Sequence, residues 1–225
     1  MRKIWGKVLF LLILGLSFIG FLIVKHLSDK NIRMPGYYVV ERINGVFENG
    51  KEHYDTLYHR MRDFDLVNQL GHHIHRSGLE GKVTLVVFFR TSGGPRTEAQ
   101  TTLLQKIQDT FAQSDSGLHI LSITTDPRHD SVAALKAYAD RYRANHDMWW
   151  FLRGDTAQIA DIARRDFGVN LYAADSSLVG FFPRIILLDK RQYVRGYFDA
   201  TDSLQIRRCV SSIPMLMLQK EKHAD

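Results

Sequence analysis

Residues 83–100, VTLVVFFRTSGGPRTEAQ, decide the fold of this chain. An unbroken apolar run from Val83 to Phe89 meets a tight turn at Ser92–Pro95, and a segment with helical features follows. A strand that is apolar on both faces is typical of a parallel sheet covered by helices on both sides. We call residues 90–97 the glycine elbow. Reactive groups often lie at such elbows, yet no Cys, His or carboxylate precedes Glu98 here.

The segments on both sides of the elbow alternate between strand-like and helix-like patterns. Buried strands are predicted at 82–89 and 118–126, a strand-like segment at 148–155, and a strand–turn–strand unit at 184–199. Helical stripes are predicted at 97–114, 131–144, 155–167 and 203–220, and a short hairpin precedes them around Leu70–Gly71. This order predicts an α/β fold with a mixed central sheet flanked by helices.

Two turn signals lie upstream of this domain, in residues 26–62. Asn44–Gly45 and Asn49–Gly50 are both dipeptides that favour hairpin turns, and apolar residues lie before and between them. We expect this segment to form a hairpin or a partly extended arm.

The charge of the chain is concentrated at its N-terminus. The 225 residues have a formal net charge of +6, but residues 1–33 alone carry six Lys/Arg against a single acid, Asp29. The rest of the chain is close to neutral. The basic pI therefore gives no support for a nucleic-acid-binding face, which would need the charge on the folded part.

The N-terminus has the pattern of a membrane anchor. Residues Val8 to Val24 contain no charge, and an α-helix of that length spans roughly 25 Å, close to the thickness of a bilayer core. Arg2, Lys3 and Lys7 precede the run and favour an N-in orientation. A cleaved signal peptide is the rival interpretation, but the run ends without a small-x-small site. In both cases the following domain lies outside the cytoplasm.

Cys209 is the only cysteine, so no disulfide can form within the chain. It lies in a helix-like segment, where a small buried apolar role is expected rather than a reactive thiol.

Four stretches together resemble the Sco/SenC branch of the thioredoxin superfamily over residues 63–215. DFDLVNQLGHHI is similar to the opening hairpin of that family, and GKVTLVVFFRTSGG to its first core strand and loop. ILSITTDPRHDSVAALKAYADRY contains an Asp-Pro-x-x-Asp turn with Asp126, Pro127 and Asp130 in place. FFPRIILLDKRQYVRGYFDATD is similar to the terminal hairpin.

The resemblance implies a thioredoxin-like fold and a role in copper handling or thiol redox chemistry during assembly of a terminal oxidase. In the family, two cysteines three residues apart and one histidine bind copper. Thiolates and imidazole suit that metal. Aligned on these motifs, Gly93 and Thr97 replace the cysteines and Phe181 replaces the histidine. We therefore expect neither family-type copper binding nor disulfide exchange, and no cofactor unless the family function persists.

The resemblance also predicts a cis peptide bond before Pro183, where the thioredoxin fold commonly has a cis-proline facing the active loop. In this chain that bond would shape the fold with no thiol to contact.

Two weaker sites are alternatives. His72, His73 and His75 form the densest group of metal-type side chains and could bind Cu(II) or Zn(II) weakly, although a solvated turn is the simpler interpretation. Ser92, Gly93 and Gly94 open a helix beside Arg96 and could hold an anion, although the Walker pattern is missing.

We predict a cytoplasmic N-terminus (1–7), a transmembrane anchor (8–25), a juxtamembrane arm (26–62) and a Sco-type domain (63–225). The chain is expected to be a single-pass inner-membrane protein whose domain faces the periplasm. No catalytic signature is present, so a non-enzymatic protein that binds or assembles a respiratory complex is the favoured function. A copper chaperone with a relocated histidine site and a small-molecule or anion-binding module are the alternatives.

Overall fold

The computed structural model describes residues 14–20, 36–37, 39–48, 51–112, 117–171 and 184–219. By internal contacts the chain divides into two units, 1–34 and 35–225. In the first unit, residues 14–20 are helical. The rest of the predicted anchor lies outside the described residues. No helix among the described residues is both long enough and apolar enough to cross a membrane.

A five-stranded sheet forms the centre of the second unit. Its order is β7-β6-β5-β8-β9, with β5 at Val83–Phe89, β6 at Leu118–Thr124, β7 at Trp149–Leu152, β8 at Arg184–Leu188 and β9 at Val194–Asp199. The strands β5, β6 and β7 are parallel, and β8 and β9 run antiparallel to their neighbours. All seven residues of β5 are buried, as its apolar sequence predicts. The mixed sheet is confirmed.

Among the described residues, four α-helices flank the sheet: α1 at Gly94–Phe111, α2 at Val132–Arg141, α3 at Thr156–Phe167 and α4 at Ser203–Leu218. One core lies between one face of the sheet and α1, α2 and α4, and a second lies between the other face and α3. Strand residues alternate between these cores because successive side chains point to opposite faces. Trp149 packs in the first core and Trp150 is half-buried on the other face.

The segment predicted as a juxtamembrane arm contains a hairpin of β1 (Val40–Glu48) and β2 (Lys51–Tyr58). Glu48 pairs with Lys51 at the end of this ladder, and the predicted turn residues Asn49 and Gly50 lie outside the described residues. The prediction of a second turn at Asn44–Gly45 is wrong, since these residues lie within β1 and pair with Asp55 and Tyr54. The ladder takes precedence over the local turn preference there, because continuous pairing satisfies more backbone groups than a second turn.

The predicted hairpin around Leu70–Gly71 is confirmed, and its first strand also covers an edge of the sheet. Its strands are β3 (Leu66–Val67) and β4 (His73–Ile74). The backbone of Val67 exchanges two hydrogen bonds with Arg153, at 2.8 and 2.9 Å. The buried amide of Gln69 continues this pattern, since its oxygen accepts from the Phe151 N–H and its nitrogen donates to the Trp149 carbonyl. A side chain thus takes the place of a neighbouring strand along β7.

The turn between β8 and β9 encloses a buried ion pair. Arg195 Nη1 lies 2.9 Å from Asp189 Oδ2, and both side chains are less than a tenth exposed. The other oxygen of Asp189 accepts from the backbone N–H groups of Arg191 and Tyr193. The Arg195 guanidinium also stacks on the ring of Tyr37, 4.3 Å from its centroid. The carboxylate therefore shapes the turn and neutralises the arginine of the return strand.

His119, on β6, is a buried histidine held in its neutral form. Lys82 Nζ lies 2.7 Å from His119 Nε2, and an ammonium can only donate, so Nε2 is the acceptor. Burial, with the nearby charge of Lys82 as the smaller cause, lowers the pKa of His119 from its ordinary 6.5 to about 4. The ring lies against Trp150 with its centroid 4.4 Å away.

Acid should therefore destabilise the fold through His119. Between pH 6.5 and 4 the unfolded chain binds a proton that the folded chain does not. The free energy of unfolding therefore decreases as the pH is lowered through that window, by up to about 3 kcal/mol. His119→Gln should remove this part of the pH dependence. Urea denaturation at a series of pH values tests this, with His72→Gln at an exposed position as the control. Equal pH profiles for the wild type and His119→Gln would refute it.

The candidate functional site at the glycine elbow

The elbow is a tight turn between the end of β5 and the start of α1. The N–H of Gly93 donates to the Arg90 carbonyl at 3.0 Å, and the helix begins at Gly94, three residues before the predicted helical stripe. Pro95 fits the first helical turn, where no N–H is needed. Gly94 has a φ of +69°, a conformation that favours glycine.

A buried carboxylate holds the elbow to the neighbouring loop. Asp130 accepts hydrogen bonds from the Thr91 hydroxyl, the Thr91 N–H and the Thr124 hydroxyl, and it is almost fully buried. Its own N–H donates to the Asp126 carbonyl at 2.9 Å, which closes the Asp-Pro-x-x-Asp turn. The side chain of Asp126 instead faces His129 at the surface. The motif therefore tethers the ends of β5 and β6 to each other.

The two positions aligned with the family's cysteines lie against each other. A Cβ placed on Gly93 would lie 2.7 Å from the Cβ of Thr97 and still closer to its hydroxyl oxygen. Cβ atoms joined by a disulfide are about 3.8 Å apart. The Thr97 hydroxyl thus fills the space that a side chain at position 93 would need. Thr97 is itself buried, and its Oγ1 has no hydrogen-bond partner among the described residues.

Phe181 and Pro183 lie outside the described residues, so the replaced histidine position and the cis-proline both remain predictions.

Three loops follow the carboxyl ends of the parallel strands. The elbow follows β5, the Asp-Pro turn follows β6 and the 153–157 loop follows β7.

The histidine cluster is spread over separate partners. His73 Nδ1 lies 2.6 Å from Asp65 Oδ1, His75 Nδ1 lies 3.0 Å from the Phe64 carbonyl, and His72 is exposed. Within the described ranges, no three His, Cys, Asp or Glu side chains are grouped so that they could hold a metal. The weak metal alternative therefore gains no support from these contacts.

Cys209 lies on α4 in the first core and is fully buried. Burial raises the pKa of its thiol to about 12. Because the thiolate is the nucleophile and the metal ligand, this cysteine is inert in the folded protein.

Sequence reasoning missed a cleft of about 710 Å³ beside the Asp-Pro turn. Pro127 and Arg128 line one wall and residues 153–157 with Ala160 line the other. The Arg153 side chain crosses to the Pro127 carbonyl at 2.9 Å and joins the two loops. The rule that ligands lie at the carboxyl ends of parallel strands could have pointed to this region.

Comparison with known proteins shows which family has this architecture. The family model of SCO1/SenC matches residues 53–217. A SCO1/SenC family lipoprotein from Bacillus anthracis is 19% identical, with a TM-score of 0.64, 71% of this chain covered and 96% of the relative. BsSco, a member of the Sco family of cytochrome c oxidase assembly proteins with an identified disulfide switch, is 20% identical, with a TM-score of 0.64 and coverages of 73% and 96%.

Yeast Sco1 with copper bound is 17% identical, with a TM-score of 0.58 and coverages of 73% and 96%. No curated protein matches the chain. The fold is thioredoxin-like, a mixed sheet with helices on both faces. The chain belongs to the SCO1/SenC family, since the family model covers most of its length.

Proposed function

We propose that this chain is a membrane-anchored Sco-type protein that acts as a non-catalytic binding or assembly component of respiratory complexes, without the family's copper and thiol site. The observation that carries this proposal is the contact between positions 93 and 97. The elbow is closed so tightly that a side chain at Gly93 would overlap Thr97.

The chemistry of the residues supports the loss of metal and thiol function. Copper sites of this type need soft thiolates. Cys209 is the only cysteine, and its buried thiol lies on α4, within the first core. Neither glycine nor the hydroxyl of Thr97 replaces a thiolate as a soft ligand. Thiol–disulfide exchange, which needs an accessible pair of cysteines, is not expected for the same reason.

The retained features favour a binding role. The Asp130 tether, the ion pair of the terminal hairpin and the covered edge of β7 keep the scaffold intact around the altered elbow. BsSco belongs to a family of cytochrome c oxidase assembly proteins. We infer that this chain keeps a surface for a protein partner of such a complex and has lost the metal cargo.

The proposed membrane anchor covers residues 8–25, with 1–7 in the cytoplasm and the folded domain in the periplasm. The helical residues 14–20 support it, since Leu14, Leu16, Phe18 and Ile19 each expose at least half of their surface. Lipid would cover such side chains.

Titration of the full chain with Cu(I), in competition with a chromogenic chelator, tests the loss of the metal site. We expect no binding in the sub-nanomolar range. Gly93→Cys/Thr97→Cys provides a comparison in which two thiols return to the elbow. Sub-nanomolar binding that survives both Cys209→Ser and replacement of His72, His73 and His75 by alanine would contradict the proposal.

Affinity purification of the full chain from gently solubilised native membranes tests the partner. Subunits or assembly intermediates of an oxidase or another respiratory complex are expected to co-purify with it. A chain that runs as a lone monomer under these conditions would argue against a role in such a complex.

A further inference from the structure

We propose that the glycine elbow binds a phosphate-type oxyanion at the N-terminus of α1. This inference goes beyond the proposed function and uses the same loop after its loss of thiols. Copper binding and anion binding are measured separately, so either proposal can fail without the other.

The N-terminus of α1 offers unused backbone donors. The cap position is Gly93, no side chain caps the helix, and its first turn contains no acidic residue. In the described part of the chain, the N–H groups of Gly94 and Arg96 have no carbonyl partner outside the helix, and residues this early in a helix have none within it. Of the described α-helices that flank the sheet, α2, α3 and α4 each have a capping side chain, from Ser131, Asp155 and Asp202. At α1 the positive end of the helix dipole is left without a negative group.

A second observation points to a ligand at this end. Thr97 is 1% exposed, and within the part of the chain that the structure describes its hydroxyl has no hydrogen-bond partner. This hydroxyl points at the cap residue, because it occupies the space beside the Cα of Gly93. Most buried polar groups have partners, and an unpaired one costs stability. A bound oxyanion at the cap would accept from it.

The charges around the elbow favour an anion. Arg90 and Arg96 flank the turn in the sequence, and the side chain of neither arginine forms a hydrogen bond or ion pair with the described residues; the Nε of Arg90 is buried. The nearby acids already have partners, since Glu98 pairs with Arg141 at 2.8 Å and Asp130 accepts from Thr91. Arginine side chains and free backbone N–H groups both suit the oxygens of a phosphate, because charge-assisted hydrogen bonds to oxyanions are strong.

Titration of the full chain, labelled with ¹⁵N-glycine and held in maltoside micelles, with inorganic phosphate tests this site. We expect saturable shifts of the Gly93 and Gly94 amide signals that sodium chloride at the same ionic strength does not cause. A parallel titration with glycerol 3-phosphate identifies the source of the group. Tighter binding of that ester indicates a phosphate carried on a larger molecule, and tighter binding of inorganic phosphate indicates the free anion.

Variants separate a ligand contact from a structural role. Thr97→Val should weaken phosphate binding about fivefold, the value of one neutral hydrogen bond, while leaving the thermal unfolding midpoint unchanged or higher, because an unpaired hydroxyl is removed. Thr102→Val is the matched control, since its hydroxyl lies on the same helix and bonds to the Glu98 carbonyl. Arg96→Gln should weaken binding about tenfold, and Arg207→Gln, at an exposed position on α4, should not.

Three results would overturn the site. These are no saturable shift of either glycine with phosphate or its ester, equal shifts with chloride, and equal affinities of the Thr97→Val and Thr102→Val variants.

Discussion

Replacing Arg195 with methionine is expected to lower the free energy of unfolding by about 3–5 kcal/mol, the usual cost of breaking a buried ion pair. The Asp189 carboxylate would remain buried, and its partners among the described residues would be the N–H groups of Arg191 and Tyr193 alone. The variant would also lose the contact of the guanidinium with Tyr37, which joins the terminal hairpin to the segment before β1. Urea denaturation followed by circular dichroism measures this loss.

Two comparisons make the Arg195 result specific. Arg164→Met removes an exposed arginine that lies 3.9 Å from Asp161, and should cost less than about 1 kcal/mol. The double variant Asp189→Asn/Arg195→Met should be less destabilised than the sum of its two single variants, since no buried charge is left unpaired. An Arg195→Met protein as stable as Arg164→Met would show that the buried pair contributes nothing.

Replacing Asp130 with alanine is expected to cost about 3 kcal/mol and to loosen the elbow. The carboxylate accepts three hydrogen bonds from Thr91 and Thr124, and bonds to a charged group are worth more than neutral ones. Their loss would leave the Thr124 hydroxyl in the core without this acceptor. Hydrogen exchange should show the effect locally, through faster exchange of the Thr91 amide relative to amides in the middle of β5.

Asp126→Ala is the control for Asp130, because Asp126 belongs to the same turn but its carboxylate faces His129 at the surface. It should change stability by less than about 1 kcal/mol. If Asp126→Ala accelerates exchange at Thr91 as much as Asp130→Ala does, the tether is a property of the whole turn and not of the Asp130 carboxylate.

Much of this fold could be predicted because its strands carry a local signal. The apolar runs of β5 and β6 are buried along their whole length, and the helical stripes after them form helices. The helical stripe at 97–114 begins three residues inside α1, because its apolar residues start only at Leu103. The turn residues Gly94 and Pro95, which contribute no apolar signal, actually form the first turn.

The candidate site was predictable in its position but not in its contacts. The resemblance identified Gly93 and Thr97, but the overlap between them depends on the backbone of the first helical turn. The tether from Asp130 to Thr91 joins residues 39 positions apart, and Gln69 reaches Phe151 across 82 positions. No local pattern encodes such pairs. The false turn at Asn44–Gly45 has the same origin, since a long-range ladder replaced a local preference.

The contact of the Gln69 amide with the edge of β7 affects how this protein can bind other proteins. An uncovered outer strand attracts strands from neighbouring molecules and can seed aggregation. Here the Phe151 N–H and the Trp149 carbonyl are already engaged by a side chain of the same chain. Proteins therefore cannot lengthen the sheet at this border by β-augmentation, and recognition there has to rely on side-chain surfaces.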